Sequence, residues 1–409
     1  MASEWTREQT KNIKITVDNE APRINFPLRQ TAKDLWIWDT WPLLDEDGSV
    51  SIINGWKIIF ALSSPRSVLP GKRHDIARIV YFYSRDGFNW IEGGKLFSEG
   101  DSPGSREWAG SALNSNGHVY IFYTAAGRKD ETNLTYEQRI VMTCSEINTN
   151  LKGVCFTNWS PHKVILEPDG VLYQSREQSM KPGNIPYTFR DPWFFRDKKD
   201  GNSYLLFEAN TPGTAEERKC EPPEARPFSG AVGLASSEND EFTEWKFLPH
   251  ILDADCVNQE LERPHFVFKD DMYYLFINTH VSKFAPGVTG PDGLYGFVSN
   301  SLTGNYVPLN GGGLVTANPI SDAFQAYSWV VLQNGTIISF VNFFNLGRLT
   351  EADIGNKPES FELSHFGGTL APTLQINIDK DHTELINRGL EDGLVIAGSY
   401  TQWKRKHAL

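Results

Sequence analysis

Three acidic residues keep unusual company in this chain. Asp39 lies within Leu35-Trp36-Ile37-Trp38-Asp39-Thr40-Trp41-Pro42-Leu43, among large apolar and aromatic neighbours. Asp191 lies within Phe189-Arg190-Asp191-Pro192-Trp193-Phe194-Phe195, and Glu262 within Gln259-Glu260-Leu261-Glu262-Arg263-Pro264-His265. A carboxylate in apolar surroundings must find a hydrogen-bonding partner or do something that offsets its desolvation. Taken singly, each reads as well as a surface, strand-end or capping acid. Taken together they suit glycosyl transfer, which needs a carboxylate nucleophile and a carboxylic acid on the leaving-group side, about 5–5.5 Å apart in retaining enzymes. The neighbours fit that chemistry. Arg190 can hold a carboxylate through two hydrogen bonds. On an extended chain Glu260 and Glu262 point the same way, and two acids on one face raise each other's pKa, as a general acid working near neutral pH requires. Aromatic side chains suit the apolar faces of sugars.

The elements that must position these acids read as strands. As a regular strand, residues 35–43 put Trp36, Trp38 and Thr40 on one face and Leu35, Ile37, Asp39 and Trp41 on the other. Pro192 lacks an N–H and favours an extended residue before it, so Asp191 should end a strand or lie at an edge. Elsewhere short apolar or alternating runs are separated by turn residues, among them Asp86-Gly87, Asn116-Gly117, Asp270-Asp271 and Asn334-Gly335. Long amphipathic helical windows are scarce, so the chain reads as all-β. Hairpin strands of one type recur, as in Val119-Tyr120-Ile121-Phe122-Tyr123, Tyr204-Leu205-Leu206-Phe207 and Tyr273-Tyr274-Leu275-Phe276. Their irregular spacing suits propeller blades with long inserted loops, at 101–107, 127–136, 183–188, 212–229 and 284–291. With no linker or shift in composition, residues 1–409 read as one domain. Its polar stretch at 1–30 reads as an N-terminal wrapping segment with a short helix.

The 409 residues carry a formal charge of −12, and 40% are hydrophobic, enough for a large core in a globular chain. The acidic balance argues against a nucleic-acid or anionic-membrane partner and fits a neutral substrate. No apolar run approaches a membrane span, and residues 1–9 show no signal-peptide pattern. The four cysteines, at 144, 155, 220 and 256, have no metal-site spacing. Cys144 with Cys155 and Cys220 with Cys256 are possible pairs, and four free thiols is the expectation.

A run of motifs gives the three acids a context. Trp38-Asp39-Thr40, Arg106-Glu107-Trp108-Ala109-Gly110-Ser111, Phe189-Arg190-Asp191-Pro192, Phe207-Glu208-Ala209-Asn210-Thr211, Glu262-Arg263-Pro264-His265, Phe324-Gln325-Ala326-Tyr327-Ser328 and Gly367-Gly368-Thr369-Leu370-Ala371-Pro372-Thr373 occur in order over most of the chain. So does Thr289-Gly290-Pro291-Asp292-Gly293 followed by Tyr295-Gly296-Phe297. Together they resemble the levansucrase/inulosucrase family of sucrose fructosyltransferases, glycoside hydrolase family 68, and among these the Gram-negative levansucrases. The resemblance implies a five-bladed β-propeller with a funnel-shaped central pocket, and retaining double displacement on sucrose. By motif, Asp39 would be the nucleophile, Glu262 the acid/base and Asp191 the transition-state stabiliser. Trp38 and Trp108 would line the fructosyl subsite, with Ser111 near the nucleophile. Arg190, Glu260 and Arg263 would bind the glucosyl side or orient the acids. His280 would contact the glucosyl or acceptor side, and Tyr327 would touch the acid/base. Trp36 and Trp41 would be ordinary packing.

Two positions depart from the family pattern, Trp193 and Trp329, and both are expected near the pocket, where they would affect acceptor preference. No metal or other cofactor is expected. The expected partners are sucrose and fructan or fructo-oligosaccharide acceptors, with the protein acting outside the cell as a monomer. The alternatives are a mainly hydrolytic β-fructofuranosidase, an inulosucrase forming β-2,1 linkages, or a non-catalytic sugar-binding propeller. The last needs no acid/base pair.

Overall fold

The computed structural model describes residues 2–179, 187–347, 349–387, 389, 391–400 and 403. Residues 183–186 of the loop expected at 183–188 lie outside this set. Among the described residues twenty-four strands form four hydrogen-bonded sheets, the largest of nine strands. That largest sheet is two blades joined edge to edge, because Leu43–Asp45 pair in parallel with Ala112–Asn114. The sheets therefore make five blades, as a five-bladed propeller requires.

Each blade begins with an inner strand beside the central axis: Leu35–Asp45, Arg106–Ser115, Phe189–Arg196, Glu262–Lys269 and Ala326–Val331. The following strands of each blade run antiparallel and outward, for example Lys57–Pro65, Arg78–Ser84 and Ile91–Lys95 in the first. Neighbouring inner strands pack side by side around the ring. The turn residues act locally as their chemistry dictates. Asn116 and Gly117 take positive φ values of 52° and 80°, the mirror-image turn that tightly joins Arg106–Ser115 to His118–Ala126. Asp270 and Asp271 do the same between Glu262–Lys269 and Met272–Thr279. After Asp86-Gly87 the next strand begins only at Ile91, because the Asp86 carboxylate accepts from the N–H groups of Phe88 and Asn89 and holds a turn there.

The regular alternation read for residues 35–43 does not hold. The inner strand is bulged between Trp38 and Trp41, with one residue more than its partner strand has between Leu62 and Phe60. All five inner strands carry such a register shift, the others between Trp108 and Gly110, Arg190 and Trp193, Glu262 and His265, and Tyr327 and Val330. In four of them a residue in the bulge has a left-handed backbone: Asp39 (φ 46°), Asp191 (58°), Arg263 (49°) and Ser328 (58°). Such a conformation costs a non-glycine residue about 1–2 kcal/mol. It re-aims side chains that a flat strand would send elsewhere. In the second blade Gly110 follows the bulge, and a Cβ there would lie 1.8 Å from the Phe122 carbonyl oxygen, so no other residue fits without backbone movement.

The segment before the first blade crosses three others. Ser3–Glu4 pairs in parallel with the outer strand Trp245–Asp253 of the third blade. Trp5 is buried against Phe284, Tyr295 and Phe297 of the fourth. A four-residue helix, Arg7–Thr10, follows, closed by a Thr6/Gln9 capping box. Farther on, the Ile24 N–H donates to Gln325 and the Thr31 N–H to Thr369 of the fifth blade. Cys220 and Cys256 form a disulfide, while Cys144 and Cys155 are free, which corrects the expectation of four free thiols. No helix among the described residues is long and apolar enough to cross a membrane.

Candidate active site

Two cavities open at opposite ends of the ring of inner strands. The one where those strands begin is lined by Trp38, Asp39, Asp191, Glu262, Arg263, His280, Tyr327 and Ser328, with Arg73, His74, Asn278 and Phe340. The bulges bring the acids here. Asp39 and Asp191 occupy bulges of the first and third blades, and Glu262 directly precedes that of the fourth. Three carboxylates distant in sequence thus face one pocket.

Each acid is held differently. The Asp39 carboxylate accepts no hydrogen bond from the described residues, and the Arg263 guanidinium supplies a nearby positive charge. Asp191 is fixed at its backbone, its N–H donating to Thr124 Oγ1 at 2.9 Å, and its Oδ2 accepts from the Arg263 N–H at 3.2 Å. Burial pushes the Asp191 carboxyl up to about 7, and the adjacent Asp39 charge adds to this against the pull of Arg190 and Arg263. Glu262 is gripped at both oxygens: Arg190 Nη2 donates to Oε1 at 3.2 Å and the Tyr327 hydroxyl donates to Oε2. Burial and the facing Glu262 hold the Tyr327 hydroxyl well above its usual pKa, so it remains a donor.

Two arginines organise the charge. Arg263 is buried, and its guanidinium donates to Ser328 Oγ at 2.8 Å and to the Thr40 carbonyl at 3.1 Å, tying the fourth blade to the fifth and first. Arg190 meets Glu208 at 2.9 Å, Glu260 at 3.3 Å and Glu262 at 3.2 Å. Burial would raise Glu260, but Arg190 and Lys283 outweigh it, and its carboxyl lies below the usual range. Lys283 Nζ donates to Glu260 Oε1 at 2.7 Å. The His280 ring stacks on Tyr327 at 3.7 Å, while its Nδ1–H donates to Asp292 at 2.6 Å. His74 packs edge-on against Trp38 at 5.3 Å, and burial, with Arg73, Arg190 and His280 near, pulls its imidazole well below the usual value. His74 is therefore a neutral polar wall.

The structure thus gathers Trp38, Asp39, Asp191, Glu262, Arg263, His280 and Tyr327 at the cavity, with Arg190 and Glu260 directly behind Glu262. Trp108 is half-buried and stands one layer out, its Nε1–H donating to the His74 carbonyl at 3.1 Å. Ser111 is not at the cavity. It lies beyond the second-blade bulge, accepts from the Phe194 N–H at 2.9 Å and lines the opposite cavity. Trp193 also faces that opposite cavity, packed on His265 at 5.3 Å, which corrects its expected place near the pocket. Trp329 is buried 5.9 Å from Tyr327. Trp36 packs edge-on against Phe366 and Trp41 stacks on Phe60, both as ordinary packing. The residues missed in sequence, Arg73, His74, Asn278, Ser328 and Phe340, come from a 3-10 helix (Pro70–Asp75) and from strand positions with no local signal of their own.

Among the described residues no cluster of His, Cys, Asp and Glu could hold a metal ion. A shaped pocket with an open carboxylate, a doubly hydrogen-bonded acid and a third buried acid can form and break a glycosidic bond.

Comparison with known proteins agrees with this chemistry. Residues 1–393 match the family model described as Levansucrase/Invertase. The chain is 35% identical to a levansucrase of Rahnella aquatilis over 96% of its own length and 95% of that protein. It is also 35% identical to an extracellular sucrase of Zymomonas mobilis, covering 93% and 92% of the two chains. An inulosucrase from Halalkalicoccus jeotgali, solved bound to kestose, superposes with a TM-score of 0.93 at 45% identity, covering 97% of this chain and 98% of that one. On this likeness along nearly its whole length, the chain belongs to the levansucrase/invertase family, glycoside hydrolase family 68.

Proposed function

We propose that the protein cleaves sucrose with retention of configuration and passes the fructosyl unit to sucrose, a growing fructan or water. One observation carries the residue roles: Asp39, Asp191 and Glu262 come from three different blades and line one cavity, with Glu262 alone accepting side-chain hydrogen bonds at both oxygens. Asp39, open to the cavity, attacks the anomeric carbon of the fructosyl unit. Glu262 gives its proton to the glycosidic oxygen, and glucose leaves. In the second half Glu262 takes a proton from the acceptor hydroxyl, whose oxygen attacks the same carbon and releases Asp39. Asp191 accepts hydrogen bonds from fructosyl hydroxyls, which tighten as the ring flattens and positive charge develops. Trp38 and His74 form the wall of the fructosyl subsite, and Trp108 backs it. Arg190, Glu260 and His280 serve the glucosyl and acceptor side. The cavity is completed by a single chain, which suits a monomer, and the relative named extracellular sucrase supports action outside the cell.

Incubation with sucrose tests the reading. Free glucose in excess of free fructose is expected, the deficit being fructosyl units transferred. Equal amounts would mean hydrolysis alone, and release of neither sugar would overturn the enzymatic reading. A second reading concerns linkage. The likeness to an inulosucrase supports β-2,1 bonds as an alternative to the β-2,6 bonds of a levansucrase. Methylation analysis of the transfer products decides between them.

A further inference from the structure

Asp292, in the stretch Thr289-Gly290-Pro291-Asp292-Gly293, is a buried acid that the proposed reaction leaves without a role. It does not line the cavity. It stands just before the third strand of the fourth blade, Gly293–Ser299, whose first residue pairs with Thr279 at the end of the second strand. That register sets Asp292 opposite His280. The turn that carries it is fixed. The Tyr295 hydroxyl donates to the Pro291 carbonyl at 2.8 Å, and a Cβ at Gly290 would lie 2.5 Å from that hydroxyl oxygen.

Both oxygens of this carboxylate are engaged, and both by the same short segment. Oδ2 accepts from the His280 Nδ1–H at 2.6 Å, and Oδ1 accepts from the Val281 N–H at 2.7 Å. One bond fixes the imidazole and the other fixes the backbone that carries it, at the head of the 3-10 helix Val281–Lys283. A carboxylate only accepts, so Nδ1 carries the hydrogen, and Nε2 lies at the opposite edge of the ring. The ring held in this way lies flat on Tyr327, with centres 3.7 Å apart and planes inclined by 15°, and it lines the cavity. Without Asp292 the ring could turn to other rotamers, and a contact made from one orientation would be lost for part of the time.

We infer that Asp292 is a positioning residue for the proposed reaction: by pinning His280 against Tyr327, it holds the imidazole where it meets the glucosyl unit of sucrose. The inference rests on the proposed function, in which His280 serves the glucosyl side. Asp292→Ala releases the ring. Its kcat/KM on sucrose should fall on the order of tenfold, while kcat/KM on fructosyl fluoride, which has no glucosyl unit, stays within about twofold of native. His280→Ala should show the same split between the two substrates. The double variant should lose no more than about twofold beyond either single one, because both changes act through one ring. Asp292→Asn keeps the volume, but its one amide oxygen replaces two carboxylate oxygens facing two N–H donors. It should show the same split to a smaller extent, and it serves as the test if Asp292→Ala does not fold. Native kcat/KM on sucrose overturns the inference. So do equal losses on sucrose and fructosyl fluoride, or losses that multiply in full with those of His280→Ala. If the native protein itself does not cleave sucrose, the reading of the site fails instead, and the two failures remain distinct.

Discussion

Arg263 fixes the floor of the site at the level of single atoms. Its backbone N–H binds Asp191, and its guanidinium spans from Ser328 to the Thr40 carbonyl, next to Asp39. Two carboxylates of unlike environment result, one facing the cavity without a hydrogen bond from the described residues and one buried. Asp39→Ala, Asp191→Ala and Glu262→Ala should each lose at least about a thousandfold in kcat on sucrose while melting near the native temperature. Near-native turnover in Asp39→Ala would remove the nucleophile assignment. The Asp191 carboxyl also links stability to pH. Folding raises it from 3.8 to about 7, so the native state holds the proton more tightly. Its contribution is therefore full below about pH 4 and is lost as pH rises towards 7, and it amounts to a few kcal/mol at most. Asp191→Asn, which cannot ionise, should gain stability relative to the native protein across that window in urea unfolding, and a constant difference would contradict the shift. His280 stacks on the tyrosine that holds Glu262. His280→Ala should change the ratio of hydrolysis to transfer, measured as free fructose over free glucose.

At the level of elements, the bulged inner strand is the unit that builds the site. Five strands share one interruption, and four of them place a polar or charged residue in the left-handed region at that point. Strain of this kind persists where the surrounding sheet over-determines it, and each bulge is flanked by regular antiparallel pairing. The disulfide acts on the connecting segments. Cys220 lies between two strands of the third blade, and Cys256 lies four residues before Glu260. The bond closes a separation of 36 residues, for which the loss of unfolded-chain entropy is roughly 3–4 kcal/mol. The double variant Cys220→Ser/Cys256→Ser should lose stability of that order in urea, with no change under reducing conditions. A native-like midpoint would show that the bridge contributes little beyond packing.

At the scale of the whole molecule, the ring is clasped from outside by its own N-terminal segment. That segment pairs with the third blade, buries Trp5 in the fourth and bonds to the fifth before the chain enters the first. Removing the Trp5 ring leaves a large cavity at this clasp. Trp5→Ala should cost about 3–5 kcal/mol, seen as a lowered melting temperature, while kcat at low temperature stays close to native because the segment does not reach the cavity. An unchanged melting temperature would mean that the clasp does not support the ring.

The sequence by itself determined much of this. Turn chemistry at Asn116-Gly117 and Asp270-Asp271 and apolar runs between them specify hairpins, since these signals act over a few residues. The acids in aromatic strands were legible because desolvated carboxylates are rare without purpose. What alternation could not reveal is the bulge. A single extra residue reverses which side chains face inward, so Asp39 joins Trp38 at the cavity. His74 and Phe340 carry no local mark either, since their place depends on strands that meet only when the ring closes. Likewise, Cys220 and Cys256 were one option among several until folding set their Cα atoms 5.5 Å apart. Local patterns fix which elements form, because their causes lie within a few residues. The sharing of Arg190 among Glu208, Glu260 and Glu262 is decided only by tertiary structure, because charges interact through space and the chain brings these four together from two blades.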